Sequence, residues 1–289
     1  MITAELQEKR MRTEKVLSNV SMLPTMPEVM MEVTKLLDDP SASTAHLSRI
    51  IGKDQGLVTK ILAIANSPLY GLTRRVSTID YAIIILGHQE IRNMVIALSM
   101  MEAFKNKNDK IMNYKEFWLH SILTGIAARR LASDFNLEKP GEAFVIGLIH
   151  DLGVSVIHKY LHSSFLAIVD TASREGGSFI EAEMMHLGLT HEEIAKMLAN
   201  KWNFPASLTD AISYHHHPTA SNADKKLASV VHLADYLVNA VVKSNFFWDK
   251  PFVVDQGIFS LLNIPADLDQ ITAQYQQLLE DEMKNSWLG

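Results

Sequence analysis

Histidine and aspartate residues that interrupt apolar helical patterns are the features of this sequence best suited to chemistry. Ten of the twelve histidines lie at or after position 120. The clearest case is the pair His150 and Asp151, which follows the apolar run Val145–Ile149. A buried carboxylate without a partner costs several kcal/mol, so Asp151 must be paired or neutralised by other groups.

The same conflict between polarity and predicted burial recurs in five separate segments. In each of them, helical spacing places a histidine or an aspartate on a face that is otherwise apolar. Neighbouring residues on a helix diverge by about 100°, so His150 and Asp151 are not expected to close a site by themselves. Groups from other helices must converge on them. The residues concerned are His120, His150, Asp151, His191, His215 and Asp235.

A cluster of imidazoles and carboxylates is typical of a metal site. The sequence has no cysteine, so thiolate ligands are excluded, and the remaining donors suit Fe, Zn, Mn or Ni. One divalent ion would already neutralise both aspartates. His191 is predicted to begin a helix, because Thr190 and Glu193 form a capping-box pattern. A helix N-terminus disfavours protonation of an imidazole, which suits His191 as a neutral ligand.

Metal-free explanations account for the same residues. A histidine on an apolar face commonly forms a hydrogen bond with a backbone carbonyl. Asp151 taken alone could form a salt bridge with Arg129 or Arg130. His217, which precedes Pro218, is interpreted as a loop residue. A hydrogen-bond network of histidines and aspartates therefore stays open as an alternative to a metal site.

The elements that must position these residues are predicted to be α-helices. Nearly every periodic segment follows the 3.6-residue spacing, so we predict an all-α fold of many helices. The strand-like exception is Phe252–Val254, the best candidate boundary is Lys105–Tyr114, and His217–Lys226 is typical of a loop. Apolar stripes lie at Leu6–Val20, Val29–Leu37, Leu57–Ala65, Ile91–Met101 and Leu268–Trp287.

Charge and composition argue against several classes of protein. The formal net charge is −6, which does not fit a broad nucleic-acid-binding surface, so no DNA partner is expected. We see no apolar run that approaches the length needed to cross a bilayer. The N-terminus lacks the apolar core and the cleavage site of a signal peptide. We therefore expect a cytoplasmic protein with no membrane partner.

Four of the candidate residues match the signature of a known superfamily. His120, the His150–Asp151 pair in "GLIHDLG" and Asp235 in "HLADYL" resemble the H…HD…D pattern of HD metal-dependent phosphohydrolases. From about residue 21 to 240 the chain also resembles the HDOD domain, the HD-related output domain of bacterial signalling proteins. This second resemblance is carried by "LPTMPEV" (23–29), "KILAIANSPLYGL" (60–72), "VSTIDYAIIILG" (76–87) and "IRNMVIALSM" (91–100).

The resemblance implies a domain organisation and a set of ligands. Its parts would be an N-terminal helix (1–20), the N-terminal helical part of the HDOD domain (21–110), an HD-like helical bundle (111–240) and a C-terminal helical extension (241–289). In the HD-GYP branch, which hydrolyses cyclic dinucleotides, further metal ligands fall at His191, His215 and His216. In an active enzyme Asp151 would be a catalytic residue, and a metal-bound water of lowered pKa would attack phosphorus. The full ligand set would be His120, His150, Asp151, His191, His215, His216 and Asp235, holding one or two divalent ions or none.

Departures from the HD-GYP pattern bear on activity. Val154 stands where that branch has a lysine, His217 stands where it has a glutamate, and "TASNADKK" replaces the GYP segment. A cation and a loop expected to engage phosphate are therefore missing. We expect a non-catalytic regulatory module whose partners are signalling proteins. The alternative is a metal-dependent phosphohydrolase acting on nucleotides or cyclic dinucleotides, and the C-terminal helix fits either packing on the domain or a homodimer.

Overall fold

The protein is built from α-helices. The computed structural model describes residues 4–18, 27–37, 43–104, 111–175, 178–242, 248 and 252–284. Regular structure in these ranges is helical, which confirms the predicted all-α fold class. The helices are α1 (Ala4–Ser18), α2 (Glu28–Leu37), α3 (Thr44–Ile51), α4 (Gln55–Ala65), α5 (Ile79–Leu86), α6 (His88–Ala103), α7 (Tyr114–Asp134), α8 (Pro140–Ile149), α9 (Leu152–Tyr160), α10 (His162–Glu175), α11 (Phe179–Leu187), α12 (His191–Lys201), α13 (Ala206–Ser213), α14 (Lys225–Val241), α15 (Gly257–Leu262) and α16 (Leu268–Lys284), with 3-10 turns at Pro68–Tyr70 and Pro218–Ala220.

The N-terminal helices pack around α6. This helix contacts α2, α4 and α5, and it also contacts α8 of the following bundle. The predicted apolar stripes lie on α2, α4 and α6. Side chains of Ser43, Asp54 and Thr78 accept hydrogen bonds from backbone N–H groups in the first turns of α3, α4 and α5, so each of these helices has a local start signal.

The second half is a helical bundle centred on α7, α8 and α14. Helices α7 and α8 cross closely because two glycines face each other. A Cβ atom at Gly147 would lie 2.8 Å from the Cα atom of Gly125, and one at Gly125 would lie 2.8 Å from the carbonyl oxygen of Phe144. Helix α14 packs on both α7 and α8. The side chains of all three helices can therefore meet.

The apolar stretch Pro140–Tyr160 is divided between two helices. Helix α8 ends at Ile149 and α9 begins at Leu152, so His150 and Asp151 form the junction. By length and composition this stretch is apolar enough to cross a membrane, so the expectation that no run has such a length is wrong. Its apolar window is 83% buried inside the protein, as in a pair of core helices.

Both terminal helices pack on the body of the protein. Helix α1 contacts α11, and the hydroxyl of Thr13 donates to the carbonyl oxygen of Leu187 at 2.8 Å. Gly188 permits this approach, because a Cβ atom there would lie 2.6 Å from the backbone of α1. Helix α16 packs on α7 and α14, where the hydroxyl of Tyr275 donates to Asp134 at 2.8 Å.

Three further expectations from the sequence are either not matched or not tested by the structure. Phe252–Val254 has no regular secondary structure, and the Phe252 ring lies against His232 with a centroid separation of 5.1 Å. Residues 105–110 of the proposed boundary, together with Val20 and Trp287, lie outside the described residues. The division into four parts stays a prediction.

Candidate metal centre

The seven candidate residues are brought together by three helices and two connections. They are His120 on α7, His150 and Asp151 at the α8–α9 junction, His191 at the start of α12, His215 and His216 after α13, and Asp235 on α14. The predicted capping box of Thr190 and Glu193 starts α12. Helix α13 ends at Ser213, so His215 lies beyond the helix and not on the helical face that periodicity predicted.

Asp151 lies between two groups of ligand atoms. Its Oδ2 atom is 3.2 Å from Nε2 of His150 and 3.9 Å from Nε2 of His120. Its Oδ1 atom is 3.5 Å from Nε2 of His191 and 3.6 Å from Nε2 of His215. The pair itself comes within hydrogen-bond distance because the helix is interrupted there, and groups from other helices converge on it. One oxygen faces each group, as in a bridging carboxylate.

The first group consists of His120, His150 and Asp235. Its ligand atoms all lie within 4.8 Å of one another. The Oδ1 atom of Asp235 is 3.0 Å from Nε2 of His120 and 3.8 Å from Nε2 of His150. Asn239, one turn further along α14, donates to the same Oδ1 atom at 2.9 Å. This amide limits the rotation of the carboxylate and was not foreseen from the sequence.

The second group consists of Asp151, His191, His215 and His216. The Nε2 atom of His191 lies 3.3 Å from that of His215 and 3.1 Å from that of His216. Three imidazole nitrogens thus meet at one point beside a carboxylate oxygen. The chemistry of this donor set is that of a transition-metal site.

Backbone carbonyls fix the tautomers of one histidine in each group. The Nδ1 atom of His150 donates to the carbonyl oxygen of Gly147, and that of His215 donates to the carbonyl oxygen of Ile212, each at 2.7 Å. A carbonyl oxygen only accepts, so Nδ1 carries the hydrogen and Nε2 of the neutral ring carries a lone pair. Metal-binding histidines are oriented in this way.

Glu183 orients His191, although the sequence pattern does not single this residue out. Both of its carboxylate oxygens lie 3.0 Å from Nδ1 of His191, and Oε2 also accepts from the backbone N–H of that histidine at 2.7 Å. The indole N–H of Trp248 donates to Oε1 at 2.8 Å. The one available signal was its spacing of four residues from Phe179 and from Leu187, which puts a carboxylate on the buried face of α11.

Two further residues place the ligands at the start of α12 and after α13. Glu192 accepts from the backbone N–H of His216 at 3.1 Å. Gly153, the glycine of "HDLG", leaves no room for a side chain, since a Cβ atom there would lie 2.0 Å from the carbonyl oxygen of His191. The distance between the junction and α12 therefore depends on this glycine.

The centre is enclosed, and several of its polar atoms lack partners. None of the seven residues is more than 9% exposed. In the described part of the chain, Nε2 of His150, both oxygens of Asp151 and Oδ2 of Asp235 have no hydrogen-bond partner. Buried polar atoms in this state are costly. The nitrogen and oxygen donors fit a divalent Fe, Zn, Mn or Ni ion, which would satisfy them.

In the metal-free centre the positive charge beside the two aspartates is carried by a protonated His150. Burial lowers the pKa of His150, but the charges of Asp151 and Asp235 outweigh it and raise this pKa to about 9. Burial raises the pKa of each aspartate, yet the neighbouring His150 reverses this and holds both carboxyl pKa values below their usual range. Burial and the adjacent His215 hold the pKa of His216 well below its usual value. The aspartates are therefore anionic, and His216 is neutral.

The metal-free salt bridges considered for Asp151 do not form. Arg129 pairs with Glu90, and Arg130 pairs with Asp134 at 2.9 Å. Neither arginine is therefore the partner of the aspartate at the junction. His217 is exposed, as its interpretation as a loop residue implied.

The helical bundle and its buried His/Asp centre agree with the resemblance to HD proteins that the sequence carries. The family model of the HDOD domain matches residues 23–218. The chain belongs to the HDOD domain family. The match ends before Asp235, so the last ligand of the first group lies beyond it.

Several known proteins are similar to this chain. An HDOD domain protein of unknown function from Geobacter sulfurreducens is 25% identical with a TM-score of 0.78, over 98% of this chain and 99% of that one. A candidate phosphohydrolase from Shewanella amazonensis SB2B is 24% identical with a TM-score of 0.71, over 93% and 97%. An uncharacterised protein of Treponema pallidum (strain Nichols) is 24% identical over 220 residues, 75% of this chain. The matched part is 42% of the Treponema protein's length.

Proposed function

We propose that this chain is a regulatory module of bacterial signal transduction whose buried centre binds two divalent metal ions without hydrolysing a phosphodiester. The enclosure of the whole ligand set carries this proposal, since none of the seven residues is more than 9% exposed. Substrates generally enter open, concave pockets. A phosphate could reach these ligands only if the surrounding core moved.

Metal binding in this proposal is supported by the atoms of Asp151. The two oxygens face different groups and have no hydrogen-bond partner in the described ranges. Bound ions would supply the positive charge that two buried carboxylates require. The bound ions would then join α7, α12 and α14 to the α8–α9 junction and stabilise the folded protein.

The surroundings of the centre support a regulatory role. Val154 on α9 is fully buried and apolar, at the position where the HD-GYP resemblance leads one to expect a lysine. His217, at the position of the expected glutamate, is exposed. Neither residue supplies a charged group for a phosphate. Signalling proteins as partners and a cytoplasmic location belong to the same proposal.

A second candidate function, metal-dependent phosphohydrolysis, is favoured by the completeness of the ligand set. Two adjacent groups that share Asp151 are the arrangement a two-metal hydrolase uses. Metals bound there would lower the pKa of a water molecule. The substrate would be a nucleotide or a cyclic dinucleotide.

Turnover measurements separate the two candidates. The full chain, loaded with Mn²⁺ or Fe²⁺, is assayed with bis(p-nitrophenyl) phosphate and with cyclic dinucleotides beside Asp151→Ala. His217→Ala serves as a control next to the ligands that should behave as the wild type. We expect no turnover above that of Asp151→Ala. Turnover that disappears in Asp151→Ala, while the helical circular dichroism spectrum is kept, would overturn the regulatory proposal in favour of the enzyme.

A further inference from the structure

A cavity of about 420 Å³ lies between the N-terminal helices and the HD bundle. It is lined by α2, α6, the start of α8 and the segment 202–208, and none of the seven metal-centre residues lines it. Its volume falls within the range of small-molecule sites, which is roughly 300–1,000 Å³. This cavity therefore has to be considered separately from the metal centre.

Helix α6 presents a polar stripe to the cavity. Gln89, Arg92, Asn93 and Ile96 line it with the spacing of one helical face. The Nε atom of Arg92 is buried and has no hydrogen-bond partner, and its guanidinium forms no ion pair with any described residue. Arg92 and Asn93 belong to the "IRN" motif of the HDOD resemblance, and the metal centre does not account for them.

The acidic residues around the cavity have cations of their own or lie in solvent. Glu90 pairs with Arg129, and Glu142 pairs with Lys139 at 3.0 Å. Glu138 is exposed. These carboxylates therefore do not neutralise the guanidinium of Arg92, and it can bind an anionic ligand.

The start of α8 adds further positive potential to the same cavity. Pro140 and Gly141 are its first residues and line the cavity, and Lys139 at the N-cap provides no side-chain cap. A Cβ atom at Gly141 would lie 2.5 Å from Nδ2 of Asn93. The glycine thus lets the first turn of α8 meet the polar stripe of α6. Pro140 has no N–H group, and the N–H groups of Glu142 and Ala143 donate to the carbonyl oxygen of Lys139, so the N–H of Gly141 is the one this turn offers to an anion.

Another part of the lining is aromatic and apolar. Trp202 and Phe204 have ring centroids 6.0 Å apart and both line the cavity, together with Leu208. A flat apolar body fits against such a wall. The cavity therefore combines a cationic side with an aromatic side.

We infer that this cavity binds a small organic anion, with a carboxylate or a phosphate on the guanidinium of Arg92 and a flat body against Trp202 and Phe204. Carboxylate and phosphate share the oxygen acceptors that an arginine fork binds. The inference goes beyond the proposed function and does not depend on metal binding.

Isothermal titration calorimetry of the full chain tests it with two pairs of probes. Adenosine 5′-monophosphate is compared with adenosine, and benzoate is compared with benzamide, so that charge is the main difference within each pair. At least one anion should bind about tenfold or more tightly than its uncharged counterpart, because a charge-assisted hydrogen bond is worth about 1.5–3 kcal/mol. Which anion binds distinguishes phosphate from carboxylate.

Three arginine variants locate the binding. Arg92→Met should weaken binding of the anion about tenfold or more, while Arg130→Met, at an exposed arginine outside the cavity, should bind as the wild type. Arg92→Lys keeps the positive charge but lacks the paired N–H donors of the guanidinium, so it should also bind the anion more weakly. This variant provides the test if Arg92→Met fails to fold. The inference is overturned if neither anion binds more tightly than its counterpart, or if the folded Arg92 variants bind as tightly as the wild type.

Discussion

Glu183 and His191 are joined at two points, through Nδ1 of the imidazole and through the backbone N–H of the same residue. The carboxylate thereby fixes both the ring and the start of α12. Trp248, beyond α14, donates to that carboxylate and connects it to a distant part of the chain. The second group therefore depends on residues that bind no metal themselves.

Replacing Glu183 should weaken metal binding selectively. In Glu183→Gln the amide can no longer act as a charged acceptor for Nδ1, and loss of such a partner typically costs about 10- to 100-fold in metal affinity. We expect this loss for one of two Mn²⁺ ions, measured by competition with a chelator. Glu181→Gln, an exposed change on the same helix, is the matched control. Equal affinities in both variants would contradict the orienting role.

Gly153→Ala should destabilise the protein. The added Cβ atom would collide with the carbonyl oxygen of His191 and push α12 from the junction. We expect a loss of about 1–3 kcal/mol in the free energy of unfolding, measured by urea denaturation. Gly56→Ala on α4 has only the capping Oδ1 atom of Asp54 near the new atom, at 3.3 Å, and should cost much less stability than Gly153→Ala. A Gly153→Ala protein as stable as the wild type would show that the contact is not tight.

The metal-free centre should show a stability maximum in pH. The pKa of His150 is raised from 6.5 to about 9 in the folded state, so its stabilisation is complete below pH 6.5 and is lost as pH rises to about 9. The pKa of His216 is lowered, so its effect is opposite, and stability falls as pH drops below 6.5. We expect the free energy of unfolding to peak near pH 6.5 after chelation.

Loading with Mn²⁺ should extend that stability to higher pH, because the ion takes the place of the proton on His150. The measurement is urea denaturation from pH 5 to 9 with and without the metal. Metal-free protein that gains stability between pH 6.5 and 9 would contradict the assignment of the raised pKa to His150.

Two adjacent arginines on α7 should differ in their contribution to stability. Arg129 pairs with Glu90 where both side chains are at most 20% exposed, and its guanidinium lies 4.5 Å from the centre of the Tyr70 ring. Removing one partner of a largely buried pair costs about 3 kcal/mol, which we expect for Arg129→Met in thermal or urea unfolding. Arg130, whose side chain is 54% exposed, should cost less than about 1 kcal/mol when changed to Met. Similar losses for both variants would contradict the importance of burial.

The sequence predicts the helices and the candidate ligands, but it does not predict the residues that hold those ligands in place. Apolar periodicity identifies α2, α4 and α6, because burial of one helical face imposes the pattern. Polar residues on such faces identify Asp151 and Asp235, because a buried carboxylate requires compensation. Those signals are local in the chain, so they can be read without a structure.

Other features depend on distant parts of the chain and leave little local trace. The helix is interrupted at His150 and Asp151 without a proline to mark the interruption in the sequence. Glu183 is one of two acidic residues on its helix, and its contact with His191 gives it a role that the sequence does not show. Arg129 and Arg130 are adjacent in one helix, so the sequence could not show that the first pairs with Glu90 and the second with Asp134.

The metal content of the purified full chain tests the central claim most directly. After incubation with Mn²⁺ and removal of free ion, we expect two ions per chain in the wild type and one in His120→Ala, by elemental analysis. Asp151→Ala, which removes the carboxylate shared by both groups, should retain fewer ions than His120→Ala. Wild-type protein that retains no more metal than Asp151→Ala, with both proteins helical by circular dichroism, would contradict a metal centre built around Asp151.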